Sequence, residues 1–223
     1  DEEEVWLQQV ADGVAYVYVG QSLTVVEART GKPVRSVPGD LRTSATCPSL
    51  VVNGVLYAES YLADGLARLQ AFDAAKGALL WECEYDTSDG YEVFDGVAYV
   101  SLDSHLRALD ARSGAPLWGF EAGRRVRLAN VVGGRVYAAV SDADHVWALD
   151  AKTGALLWDI EACYATIVDG VLYIGRFDGL LRAFDVATIT SGPPPEATWS
   201  SDAQLWSYVI WGKAGLAVRT AVD

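Results

Sequence analysis

Residues 108–118 read Ala-Leu-Asp-Ala-Arg-Ser-Gly-Ala-Pro-Leu-Trp, and the same frame returns at 71–81 (AFDAAKGALLW) and at 148–158 (ALDAKTGALLW). The shared pattern is A-x-D-x-x-[TSK]-G-x-x-x-W. Each part has a physical use. The Asp can accept hydrogen bonds from its own turn, and the Gly supplies the left-handed residue that closes it. A Trp carried on the strand that follows can reach a neighbouring unit and bury a large apolar area. Two flanking copies are degenerate. Val25–Arg35 places Arg35 where Trp stands elsewhere. Ala183-Phe184-Asp185 opens a fifth copy that diverges through Ser191-Gly192-Pro193-Pro194-Pro195, with Trp199 positioned to resume its last strand.

Upstream of each copy lies a turn dipeptide followed by alternating apolar residues. Asp12-Gly13 precedes VAYVYV, Asn53-Gly54 precedes VLYAES, and Asp95-Gly96 precedes VAYVSL. Gly133-Gly134 precedes RVYAAV and Asp169-Gly170 precedes VLYIGR. These pairs supply the positive φ of a tight hairpin. Their glycines are 41, 42, 38 and 36 residues apart, a period near that of one propeller blade. Each unit therefore reads as four short antiparallel strands, and no segment shows 3.6-residue periodicity with helix caps. The expected fold is an all-β propeller with five clear blades. Leu205–Val222 reads as the first two strands of a sixth. Residues 1–223 are expected to form one such domain or a part of a larger ring, since closure typically takes 4–8 blades.

The three intact cassettes resemble the tryptophan-docking motif of the propeller repeat found in pyrroloquinoline-quinone (PQQ) enzymes. Trp81, Trp118 and Trp158 are then the structural docking residues. The repeat is also similar to that of the propeller lipoprotein of bacterial outer-membrane assembly and of sensor propellers fused to bacterial serine/threonine kinases. This resemblance implies a binding or scaffold module with an extracytoplasmic location. It also raises a PQQ-dependent dehydrogenase as an alternative. In many such enzymes the site includes an adjacent-cysteine pair, a carboxylate-held calcium and a catalytic Asp. Here no Cys-Cys pair occurs and no calcium cluster is identifiable, so neither cofactor nor metal is expected. Function must be argued from the site and not from the shared repeat. A third alternative is a structural protein whose partner is another copy of itself.

Composition narrows the classes. Basic residues number 17 and acidic ones 30, for a net charge of −13. Such a surface repels phosphate backbones and anionic lipid, so nucleic acid is not an expected partner. No apolar run approaches the roughly 20 residues of a membrane-spanning helix. The chain begins at Asp1, so a processed or trimmed start stays open. No G-x-S-x-G elbow, P-loop or G-x-G-x-x-G fingerprint is present, and no catalytic residue is assigned.

Candidate binding residues follow from repeat position. In a propeller the first strand of each blade lines the central channel. The residue seven before each turn glycine is Trp6, Cys47, Asp89, Arg127 and Cys163. They form a candidate channel mouth, or else are residues that merely fit a narrow wet channel. A Cys47–Cys163 disulfide needs Cα atoms within about 7 Å, which opposite blades do not offer. Cys83 reads as an outer-strand residue. Trp206, Tyr208 and Trp211 are candidate interface aromatics, or core residues of the sixth blade. His105 and His145 share a position expected in the hairpin before the third strand. No third metal ligand recurs there. Glu82 and Glu84 read as a solvated face beside Trp81.

Overall fold

The computed structural model describes residues 5–11, 13–19, 22–37, 50–62, 66–86, 90–140, 145–162, 164–175, 180–189 and 196–200. Twenty β-strands fall in five four-stranded sheets, and no α-helix occurs among the described residues. The first sheet holds β1 (Val5–Ala11), β2 (Val14–Val19), β3 (Ser22–Glu27) and β4 (Pro33–Val37). The second holds β5 (Leu50–Val52), β6 (Val55–Tyr61), β7 (Leu66–Asp73) and β8 (Leu79–Asp86). The third holds β9 (Tyr91–Phe94), β10 (Val97–Leu102), β11 (His105–Asp110) and β12 (Pro116–Glu121). The fourth holds β13 (Val126–Val132), β14 (Arg135–Val140), β15 (His145–Asp150) and β16 (Leu156–Glu161). The fifth holds β17 (Tyr164–Val168), β18 (Val171–Gly175), β19 (Leu181–Asp185) and β20 (Trp199–Ser200). Each sheet is a meander in chain order.

The turn dipeptides make the first hairpin of each sheet. Asn53 (φ 50°) and Gly54 (φ 73°) are both left-handed, as are Asp95 with Gly96 and Asp169 with Gly170. Two successive positive φ values define the type I′ turn, whose twist matches that of the flanking strands. Register then follows. Val52 pairs Val55 across the turn, Val97 pairs Phe94, and Val168 pairs Val171. A bulge falls between Leu7 and Gln9 in β1 and, at the same repeat position, between Leu128 and Asn130 in β13.

The described chain divides into two compact units, one of residues 1–102 with 108–117 and one of residues 103–107 with 118–223. In the first unit, β1 packs beside β5. Tyr16, Tyr18, Leu23, Val25 and Val37 of the first sheet meet Leu56, Ala58 and Phe72 of the second in one core. A second core joins Tyr57, Leu69, Ala71 and Tyr85 to Ala98, Val100 and Leu109 of the third sheet. In the second unit, β13 packs beside β17. There Tyr137, Val146, Trp158 and Ile160 meet Leu172, Ile174, Phe184, Val186 and Ile189. The cores therefore lie between sheets, as expected where neither face of a sheet can be left wet.

Candidate functional site

The repeat residues converge on the seams between neighbouring sheets. The Asp of each cassette first folds its own turn. Asp73 Oδ1 accepts from the backbone N–H of Ala75 (3.0 Å) and Lys76 (2.9 Å). Asp110 Oδ1 accepts from Ser113 N (2.8 Å) and Oγ (2.6 Å), and Asp150 Oδ1 accepts from Thr153 N and Oγ1, both at 2.9 Å. These bonds favour the charged form and hold all three carboxyls below the ordinary range. The leading cause is the Lys76 N–H for Asp73, and the Ser113 and Thr153 hydroxyls for Asp110 and Asp150. The glycine four residues later then donates its N–H to the Asp carbonyl, at 2.7 Å for Gly77 and 2.8 Å for Gly114 and Gly154.

That turn is a platform for the Trp of the preceding sheet. Trp81 Nε1 donates to Ala111 O at 3.0 Å, and Trp118 Nε1 donates to Ala151 O at 2.9 Å. Each indole packs directly on the turn glycine. A Cβ on Gly114 would stand 2.5 Å from Trp81 Cγ, and one on Gly154 would stand 2.6 Å from Trp118 Cε3. The glycine is needed twice over, for its φ of 70° and for its lack of a side chain. Tyr57 adds a second donor to the same acceptor, its hydroxyl reaching Ala111 O at 2.7 Å. Burial pushes the Tyr57 phenol up to about 12, with Asp110 adding to the effect.

The degenerate first copy reaches the same kind of turn by other means, through the carbonyl one residue further on. Arg35 pairs with Val25, as Trp81 pairs with Ala71. Its guanidinium donates from Nη1 to Ala75 O at 2.8 Å, and its Cδ lies 3.3 Å from where a Gly77 Cβ would be. Gln9 supplies a further tie. Its Oε1 accepts from Val51 N (2.7 Å) and its Nε2 donates to Val51 O (3.3 Å), so one amide substitutes for a strand partner.

Trp81 and Trp118 are half-buried and Trp158 is buried, its ring edge-on to Phe184 at 5.4 Å. Trp6 lies on β1 opposite Tyr18 and is 57% exposed. Arg127 lies on β13 opposite Ala139 and is half-buried. Cys47, Asp89, Cys163, Trp206, Tyr208 and Trp211 lie outside the described residues, as do the Pro193–Pro195 insertion and the tail read as a sixth blade. His105 and His145 sit at the start of the third strand and not in the turn before it. They are the first residues of β11 and β15, and the His145 ring faces Asp159 Oδ1 at 2.5 Å. Cys83 is half-buried on β8 against the second core. Arg68 stands between Glu82 (3.7 Å) and Glu84 (3.6 Å), so those carboxylates face a cation as well as solvent. Trp199 pairs with Ala183, which places it in the register that Trp81 and Trp158 occupy. Among the described residues no group of three or more His, Cys, Asp or Glu is arranged to hold a metal.

Tyr57 and Gln9 escaped the sequence reading. A signal for the tyrosine was present, since Tyr16, Tyr57, Tyr99, Tyr137 and Tyr173 each follow a turn glycine by three residues. Gln9 carried none.

Residues 102–222, more than half of the chain, match the family model described as outer membrane protein assembly factor BamB. The chain belongs to this family of PQQ-like β-propellers. The structure superimposes on BamB from Moraxella catarrhalis with a TM-score of 0.58 at 21% identity, covering 88% of this chain and 63% of that one. It also superimposes on the quinohemoprotein alcohol dehydrogenase ADHIIG from Pseudomonas putida HK5 with a TM-score of 0.54 at 15% identity, covering 90% of this chain and 43% of that one. At such identities the likeness establishes the propeller fold. By sequence, the chain is 33% identical over 124 residues to the serine/threonine-protein kinase AfsK of Streptomyces coelicolor, covering 53% of this chain and 15% of the kinase. The PQQ-like propeller thus spans a small part of that relative and under two thirds of the BamB chain. No helix among the described residues is long and apolar enough to cross a membrane.

Proposed function

We propose that this propeller is a non-catalytic binding module whose partner is a protein, with a second copy of the chain as one such partner. The observation that carries this reading is where its exposed apolar side chains lie. Val5, Trp6, Leu7 and Val10 are all more than half exposed on β1, an edge strand of the first sheet. Val34, Leu79, Leu117 and Trp199 are exposed on the outermost strands β4, β8, β12 and β20. Edge strands carry unpaired backbone groups, and apolar side chains on them favour β-strand addition by a partner. The assembly-factor description of the family supports the same reading, and the proposal includes the extracytoplasmic location that the resemblance implies.

Two measurements test it. A Trp6→Lys/Leu7→Lys variant should keep the wild-type circular dichroism and melting temperature yet lose partner capture by photo-crosslinking in the native host. It should likewise lose any self-association seen by sedimentation velocity. Retention of both by the variant would remove β1 as the contact. Titration of PQQ with Ca²⁺ to tens of micromolar should leave the tryptophan fluorescence unchanged and give no dye-linked alcohol oxidation. Tight quenching with turnover would replace the binding module by an oxidoreductase.

A further inference from the structure

The seam between the fourth and fifth sheets departs from the others, and the reason is one residue. In the cassettes at 73–77, 110–114 and 150–154 the fourth residue after Asp is Gly. In the fifth it is Ile189, whose backbone is extended (φ −75°, ψ 108°) and whose side chain is fully buried in the core. The chain therefore cannot make the left-handed platform on which Trp81 and Trp118 lie. It forms a single 3₁₀ turn, Val186–Thr188, and Ile189 N donates to Val186 O at 3.3 Å. Val186 is the residue after Asp, the position whose carbonyl serves Trp81 and Tyr57 at Ala111, and here that carbonyl is turned to the 3₁₀ bond.

Both donors that should reach it are left unmet. Trp158 Nε1 and the Tyr137 hydroxyl are buried with no hydrogen-bond partner among the described residues, in side chains 2% and 0% exposed. They correspond by repeat position to Trp81 and Tyr57, which share Ala111 O. A buried donor with no acceptor keeps its full desolvation cost in the folded state and regains water when the seam opens.

We infer that the fifth sheet is a releasable flap, parting from the fourth at the Trp158–Phe184 seam while the fourth stays folded, and so uncovering Trp158, Ile174 and Phe184. This rests on the seam geometry and not on the proposed binding role. Paired substitutions in the full chain test it. Tyr57→Phe and Trp81→Phe each remove a made hydrogen bond and should lower the melting temperature by about 2–4 °C. Tyr137→Phe removes only an unmet donor and should leave it within about 1 °C, or raise it, and Trp158→Phe, which gives up indole packing but no made hydrogen bond, should cost less than Trp81→Phe. Hydrogen exchange should show β18 and β19 amides at least tenfold less protected than those of β14 and β15. Equal losses in the two pairs, as a bridging water or any other acceptor at the fifth seam would produce, overturn the inference. So does equal protection of the two sheets.

Discussion

At the residue scale, the recurring requirement is a donor on one sheet and a carbonyl on the turn of the next. Trp81 and Arg35 meet it with different chemistry over the same kind of glycine. Removing Arg35 forfeits one charge-assisted hydrogen bond at a partly exposed site, worth about 1 kcal/mol. Arg35→Ala should therefore melt roughly 2–4 °C lower in differential scanning calorimetry. Arg35→Trp should recover that loss, because Gly77 (φ 69°) already offers an indole a bare platform. The tyrosines give a separate readout. Tyr57 and Tyr137 are both pushed up to about 12, chiefly by burial. Their folded values exceed the unfolded value near 10, so their contribution to stability is whole below pH 10 and is lost as pH rises from 10 toward 12. Absorbance at 295 nm should show these two phenols ionising above pH 10 in the folded chain, and near pH 10 once it is unfolded in guanidinium.

At the element scale, the Asp-to-Gly turn is the unit that both closes a sheet and receives its neighbour. Gly114→Ala and Gly154→Ala each combine a left-handed backbone with a Cβ inside 3 Å of an indole carbon. Strain and overpacking add, for roughly 3 kcal/mol or more. Gly54→Ala meets nothing within 4 Å and should cost only about 1 kcal/mol through its φ. Chemical denaturation of the three variants checks this order. The turn carboxylates predict an acid limit. Asp73, Asp110 and Asp150 all sit below their ordinary value of 3.8 in the fold. The stability they lend is present above that pH and disappears as pH falls through their lower folded values. The denaturation midpoint should fall with pH below about 4, and Asp110→Asn should flatten that dependence. Turn chemistry of this kind was legible in the chain itself, because Asp, Ser or Thr and Gly at fixed offsets have few other uses. The fate of the fifth turn was not. Its divergence showed in the sequence, but only the backbone of Ile189 reveals that a carbonyl was lost with the glycine.

At the scale of the whole molecule, each sheet has its own hydrogen-bonded ladder and shares its side-chain core with a neighbour. The blade period and the strand count per blade could be read from spacing, since a repeat multiplies a weak local signal. The binding candidates could not be settled in that way. Trp6 and Arg127 share a repeat position but differ in exposure, because what covers a first strand depends on neighbours that no local pattern specifies. The substitution of Arg35 for Trp was visible, yet its hydrogen bond to Ala75 O was a matter of three-dimensional reach. Energetically, such an array approximates a chain of nearest-neighbour couplings. Sheet-internal terms set how stable each unit is, and seam terms set how sharply units melt together. Trp81→Ala removes the indole, its bond to Ala111 and its packing on Gly114, all of them seam terms. A Val55→Ala substitution thins the same second core without touching the turn platform. Both should lower the melting temperature. Only Trp81→Ala should broaden the transition, with a van't Hoff enthalpy well below the calorimetric one, because the second and third sheets then melt less cooperatively. If the two variants keep the same enthalpy ratio, the indole contributes burial alone and the seam is not what couples the sheets.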